Sequence, residues 1–169
     1  LHDDVCMEPI RWGILGAGVI ADLVGADIAS STGSEIVAVA ARDASRAAAF
    51  ADARDIPRSY GSYAELVADD DVDVVYIATT HAQHHEHALL ALRAGKPVLV
   101  EKAFTLNARE AQVVIDAARS KKLFLMEAMW TRLIPAVAEA RRLVAEGAIG
   151  KPMMLQVDFG VRFEVEASH

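Results

Sequence analysis

This sequence predicts a doubly wound α/β fold on a parallel sheet, and three observations carry the prediction. Trp12–Leu15, Glu35–Ala41, Asp73–Ala78 and Pro97–Val100 are short, nearly continuous apolar runs. Strands of that kind are buried on both faces, as in parallel sheets covered by helices. Helical stretches separate the runs, so β and α alternate along the chain. The first run also passes directly into Gly16-Ala17-Gly18-Val19-Ile20-Ala21, a G-x-G-x-x-A turn between strand and helix.

Each element has its own local signal. Trp12–Leu15 is the first strand, and Val19–Ser30 follows as a helix that Ser31-Thr32-Gly33-Ser34 ends. The β-branched run Glu35–Ala41 is the second strand. Asp43 or Ser45 opens an alanine-rich helix to about Ala53, which Ile56-Pro57 breaks. Arg58–Tyr60 is a short strand candidate. Ser62 to Glu65 reads S-x-x-E, a capping signal for a helix to Ala68. Asp73–Ala78 is the next strand, Gln83–Ala94 a helix with Gly95 at its end, and Pro97–Val100 a strand. Asn107 caps a helix to about Ser120, Leu123–Met126 is a strand, and Arg132–Glu146 a helix with Pro135 in its first turn. Beyond Ile149–Pro152 the pattern changes. Leu155, Val157, Phe159, Val161, Phe163 and Val165 alternate with polar residues or glycine, the period of a strand with one wet face. These changes divide the chain into a tail, 1–10, a first domain, 11–149, and the opening strand of a second, truncated domain, 150–169.

Composition narrows the functional classes. With 53% hydrophobic and 24% charged residues among 169, the chain can bury a sizeable core. A net charge of −7 argues against nucleic acid or an anionic membrane as partner. Cys6 is the single cysteine, an incidental thiol in the tail that allows no internal disulfide, and a reducing cytoplasm is the expected compartment. No run reaches transmembrane length, and the acidic start LHDDVCMEPI is unlike a signal peptide.

The glycine turn is the first site that carries chemistry. Gly16 permits the tight turn, Gly18 lets a pyrophosphate approach the backbone, and Ala21 lets helix and strand pack closely. The helix beginning at Val19 and Ile20 aims unpaired N–H groups and its positive dipole end at the phosphates. An NAD site usually carries Asp or Glu at the end of the second strand to hold the ribose hydroxyls. Ala41 and Arg42 stand there instead, twenty-five positions after Gly16. Arg42 can pair with a 2′-phosphate, which favours NADP over NAD, while the neighbouring Asp43 is a helix cap or a competing charge.

Three further stretches follow strand ends, where ligands bind in open α/β sheets. Thr79–His87, TTHAQHHEH, holds His81, His84, His85 and His87. His81 and His85 have chelating i, i+4 spacing but no cysteine or carboxylate to complete a metal site, so no metal is expected. Histidines solvated on the outer face of a helix are one reading; contact of Thr79, His81 or His84 with cofactor or substrate is another. VLVEK ends in Glu101-Lys102, where the lysine either holds a substrate oxygen or forms a surface ion pair. In LMEAMWTRLIP, Trp130 and Arg132 suit a nucleotide or packing between domains equally well.

Together these stretches resemble the N-terminal half of the glucose–fructose oxidoreductase / inositol dehydrogenase (Gfo/Idh/MocA) family, nearest its dimeric dihydrodiol dehydrogenase branch. RWGILGAGVIA, VAVAARDASRAAAFA, YGSYAELV, the HAQHH loop, AGKPVLVEKAFTLNA and LFLMEAMWTRLIPA carry the likeness, from Arg11 to about Pro135. The resemblance implies a Rossmann fold and an NADP-dependent oxidoreductase, NAD being the alternative cofactor. Hydride would move between nicotinamide and a secondary alcohol of a sugar, polyol or cyclic diol. It implies pyrophosphate binding at Gly16 and Gly18, NADP selection at Arg42, a catalytic role for Lys102 within the family's E-K-P motif at Glu101, His84 near the cofactor, and a W-T-R stretch at Trp130 and Arg132. Ala103 departs from the family's proline, in the bend that aims the lysine. Family members are about twice this length and carry an α+β domain that completes the substrate pocket and the dimer.

Two other functional classes stand beside the dehydrogenase: a nicotinamide-nucleotide-binding module or sensor without turnover, and a Rossmann-like methyltransferase, which fits the glycine turn but not VLVEK or WTR. The alternating C-terminal segment needs an antiparallel partner. The expectation is therefore a fragment of a longer enzyme, or a homo-oligomer pairing through that strand.

Overall fold

The computed structural model describes residues 8–160. The chain falls into two compact units, Leu1–Met129 and Trp130–His169. The change of pattern near Ile149 therefore lies inside the second unit. Cys6 and most of the tail lie outside the described residues, as does the segment from Val161 onward.

The first unit is a six-stranded sheet. Its strands are β1 (Ile10–Leu15), β2 (Ser34–Ala40), β3 (Arg58–Tyr60), β4 (Val74–Ile77), β5 (Val98–Val100) and β6 (Leu125–Glu127). All neighbours run parallel, in the order β3-β2-β1-β4-β5-β6. The chain moves outward from β1 to β3, then returns beside β1 to lay down β4. That reversal between β1 and β4 opens a crevice at the carboxyl ends of the strands.

Five helices connect these strands: α1 (Val19–Ser30), α2 (Ala44–Asp52), α3 (Tyr63–Val67), α4 (His84–Arg93) and α5 (Ala108–Lys121). The two-residue period of a strand explains why both sides of the sheet are apolar. Ile14, Val39 and Tyr76 face one side, packed with Ala21 and Ile28 of α1 and with Phe50 and Ala51 of α2. Leu15, Ala38, Val75 and Ile77 face the other, with Leu66 of α3, Leu92 of α4 and Val114 of α5. The caps follow the sequence. Asp43 accepts from Arg46 N, Ser62 from Glu65 N and Asn107 from Glu110 N, so each helix starts one residue after its cap.

Several boundaries differ from expectation. Ile10 already belongs to β1 rather than to a tail. Residues 81–83 form a 3₁₀ turn, so α4 starts at His84 rather than Gln83. In the second unit a 3₁₀ turn covers Trp130–Leu133, and a sixth helix, α6 (Pro135–Ala145), starts three residues later than Arg132. Pro135 is the cause. It has no N–H and suits the first helical position, and it pushes Ile134 out of the helical region to ψ 123°. The expected strand from Leu155 is not formed over residues 155–160, which are exposed and without regular structure. A period-two segment becomes a strand only against a partner, and the described residues contain none for it. No helix among the described residues is long and apolar enough to cross a membrane.

Gly13 in the middle of β1 is a packing constraint. A Cβ there would lie 2.7 Å from Leu66 Cδ2 and 2.9 Å from Val72 Cγ1, both in the core. Gly13→Ala is expected to lower stability by about 1–3 kcal/mol, read as a lower midpoint in urea denaturation. An unchanged midpoint would contradict this close approach of α3 to the sheet.

Candidate functional site

The loops after β1, β2 and β4 enclose a cleft of about 420 Å³ at the carboxyl edge of the sheet. The first loop is held by a close contact. Gly16 has φ +112°, and a Cβ on it would lie 2.7 Å from the Ala78 carbonyl oxygen. Only glycine meets both demands. Gly18 is different: a Cβ there would meet nothing nearer than Arg46 Nη2 at 4.0 Å. The protein itself does not require glycine at that position, so the missing side chain leaves open the approach to α1. Gly18 also caps α1 with no side-chain hydrogen bond, leaving the first N–H groups of the helix without a capping oxygen.

The second loop brings two guanidinium groups to the cleft. Arg42 follows the buried Ala41, and Arg46 lies in the first turn of α2. Arg46 donates from Nε and Nη2 to the Ala17 carbonyl, at 3.1 and 2.9 Å, and so ties α2 to the glycine turn. Sequence reading missed Arg46. Its signal was the spacing i, i+4 from Arg42, on the first turn of a helix whose cap had been identified. Asp43 Oδ1 accepts from Ser45 Oγ at 2.6 Å and from Arg46 N at 3.0 Å. These bonds, the Ser45 hydroxyl foremost, hold its carboxyl below the ordinary aspartate value.

Thr79 and Thr80 supply the third loop, and the histidines behind them are not mainly solvated. His84 and His87 are buried, His85 is half-buried, and His81 is exposed. His84 sits between two carbonyls, with Nδ1 2.8 Å from Ala103 O and Nε2 3.1 Å from Thr79 O. A neutral imidazole donates to one of them, and its tautomer sets which. His84 therefore packs between the β4 loop and the β5 loop from inside the protein, hydrogen-bonded to one of the two carbonyls. His87 Nδ1 lies 2.9 Å from Thr79 Oγ1, and its ring meets Tyr63 edge-on at 4.4 Å. Burial lowers the His87 pKa; Glu86 opposes that shift, while His84 and Arg42 add to it. Among the described residues no group of three or more His, Cys, Asp or Glu is arranged to hold a metal.

Glu101 and Lys102 follow β5, and they do not form an ion pair. Glu101 turns inward and is buried, accepting from Tyr76 Oη at 3.0 Å and from Lys102 N at 3.0 Å. Lys102 is exposed. The Lys102–Ala103 peptide is cis. Phe104 N donates to Glu127 Oε1 at 2.9 Å, so the end of β6 also holds this loop, a contact with no signal in the sequence.

Of the residues singled out in the sequence, Gly16, Gly18, Ala41, Arg42 and Thr79 line the cleft. Val19 and Ile20 open α1 outside that lining, with Val19 exposed. His81 and Lys102 are exposed on their loops, and His84 and Glu101 are buried behind them. Trp130 and Arg132 belong to the second unit.

Comparison with known proteins adds to this geometry. Residues 10–129 match the family described as an oxidoreductase family with an NAD-binding Rossmann fold, Gfo/Idh/MocA. A trans-1,2-dihydrobenzene-1,2-diol dehydrogenase of Bos taurus is 48% identical over 153 residues, covering 89% of this chain and 46% of that protein. A D-xylose 1-dehydrogenase (NADP(+)) of Hypocrea jecorina is 43% identical over 169 residues, covering 93% of this chain and 43% of that protein. The crystal structure of a 3-ketoreductase from Actinomadura kijaniata in complex with NADP superposes with a TM-score of 0.76 at 32% identity, covering 85% of this chain and 46% of that one. The chain spans about half the length of the curated relatives it matches.

The burial of His87 sets a pH dependence. In the fold its pKa lies below the ordinary histidine value, near 6.5, at which the unfolded chain takes up the proton. As pH falls through that window the unfolded state binds more protons than the fold, so stability falls. Ring NMR titration is expected to place the His87 midpoint below 6.5, with a lower urea midpoint at acid than at neutral pH. A midpoint at or above the ordinary value would contradict the buried, Thr79-bonded ring.

Proposed function

This chain belongs to the oxidoreductase family with the NAD-binding Rossmann fold, and from that premise we propose that it is the cofactor-binding part of an NADP-dependent dehydrogenase. The substrate class is a secondary alcohol of a sugar, polyol or cyclic diol. The observation that carries the cofactor choice is the pair Arg42 and Arg46 at the cleft end of β2, with Ala41 where an NAD site usually places a carboxylate. The cleft fits a dinucleotide on three counts. Gly18 leaves the α1 N-terminus open, the first N–H groups of that helix have no capping side chain, and two guanidiniums stand at the adjacent loop. Asp43 is the one carboxylate among them, and its Oδ1 is held by Ser45 and Arg46 N.

In this reading the N–H groups after Gly18 bind the pyrophosphate, and Arg42 and Arg46 bind the 2′-phosphate by charge-assisted hydrogen bonds. The nicotinamide, when bound, supplies the carbon that donates or accepts hydride. Lys102 holds the substrate oxygen as a hydrogen-bond donor, favouring the negative charge left there once the hydroxyl proton has passed to a base and, in the reverse direction, the charge that grows as hydride adds to the carbonyl carbon. Glu101 and Glu127 fix the segment that carries the lysine, and His84 packs against it. The substrates in the names of the similar dehydrogenases, a dihydrobenzenediol and D-xylose, support a diol or sugar, and the NADP named for two similar proteins supports the cofactor. The alternating segment from Leu155 supports pairing with a further sheet or a second copy.

Fluorescence titration tests the cofactor choice. NADPH is expected to bind about tenfold or more tightly than NADH, since charge-assisted contacts contribute about 1.5–3 kcal/mol. Arg42→Ala should remove most of that preference and leave NADH affinity unchanged. Arg46→Ala should weaken both cofactors, because Arg46 also braces the Ala17 carbonyl. Equal affinity of the unmutated protein for NADPH and NADH would contradict the proposal.

A further inference from the structure

We propose that Tyr76 is a positioning residue for Lys102, acting through Glu101; the inference rests on the dehydrogenase reading, in which Lys102 meets the substrate oxygen. The strand register creates the link. Tyr76 on β4 lies opposite Leu99 on β5. A period of two places Glu101 on the same face as Leu99, one diagonal step from Tyr76. The phenol is fully buried and donates to Glu101 Oε1 at 3.0 Å. The other carboxylate oxygen accepts from Lys102 N at 3.0 Å, and Glu101 N donates to Ile77 O at 3.0 Å. The residue that carries the lysine is therefore fixed by its own N–H to a carboxylate that cannot swing, because its far oxygen is tied to the strand next door.

The chemistry of the three groups explains their types. A carboxylate offers two acceptor oxygens, and both are facing donors here. A glutamine could keep both contacts by turning its N–H to the phenol oxygen, which also accepts, whereas a leucine would leave both donors without an acceptor. A phenylalanine at 76 would fill the same apolar space, so packing does not account for the hydroxyl, whose partner is Glu101 alone among the described residues. Burial, and then the Glu101 carboxylate beside it, push the Tyr76 phenol far above its ordinary value, so it remains a donor at all working pH. Buried polar groups of this kind fix geometry when every member is satisfied.

The test uses the complete protein that contains this chain, assayed with NADP and a polyol or diol substrate well below its melting temperature. Tyr76→Phe is expected to lower kcat about tenfold while KM and NADPH affinity stay within about twofold, the split of a group that acts on the transition state. Glu101→Leu should show the same split, and Tyr76→Phe should add little to it, since both break one chain of bonds. If Tyr76→Phe proves too unstable to assay, Glu101→Leu alone carries the test. Val75→Ala, on the opposite face of β4, controls for stability. It should lose at least as much melting temperature and keep kcat. Lys102→Met separates the two readings. If it retains kcat, the dehydrogenase reading of Lys102 fails. If it is inactive while Tyr76→Phe or Glu101→Leu keeps the unmutated kcat, or while Val75→Ala loses kcat in step with stability, the Tyr76 proposal alone is overturned.

Discussion

The cleft depends first on one backbone contact, between Gly16 and the carbonyl of Ala78. At 2.7 Å from a Cβ position there is no room for any side chain, and φ +112° excludes one independently. That contact lets the β1 turn lie against the end of β4, at the point where the strand order reverses. Everything else at the edge is placed from there. The α1 helix leaves the turn with its N-terminus facing the crevice, Arg46 reaches across to the Ala17 carbonyl, and Thr79 follows the contacted residue directly.

Behind this front lies a second layer of polar groups, His84 and Glu101 buried and Glu127 half-buried. His84 packs between the β4 and β5 loops, Glu101 links β5 to β4 through Tyr76, and Glu127 links β6 to the loop after Lys102. These groups would be costly if unpaired, since a buried polar atom without a partner loses its hydration. Each is paired, largely to backbone, and so converts burial into fixed loop geometry. The charged groups divide by position. Arg42 and Arg46 stay at the opening, where they can meet a ligand. Arg11 and Arg58 form ion pairs with Asp69, Asp71 and Asp73 that brace the strands against the α3–β4 turn.

The sheet and its helices were legible in the sequence because both rest on local signals: continuous apolar runs, capping residues and glycine turns. Asp43, Ser62 and Asn107 cap helices in the structure as their side-chain chemistry suggests. The late start of α6 at Pro135 was also legible in principle, since proline restricts the residue before it. The histidines were harder. Nothing in HAQHHEH shows that His84 and His87 point inward, because their burial depends on the neighbouring β5 loop and on Tyr63. The inward turn of Glu101 depends on the register of β4 against β5, a long-range property that composition does not encode. The alternating segment from Leu155 is the opposite case: a strong local pattern without a partner among the described residues.

The most direct measurement is amide hydrogen exchange with and without saturating NADPH. A cofactor cleft at the carboxyl edge, centred on the Gly16 turn, predicts slower exchange at residues 18–21, 42–46 and 79–80, with the opposite edge of the sheet unchanged. Slowing confined to other segments, or no change at these loops under conditions where binding is saturated, would contradict it.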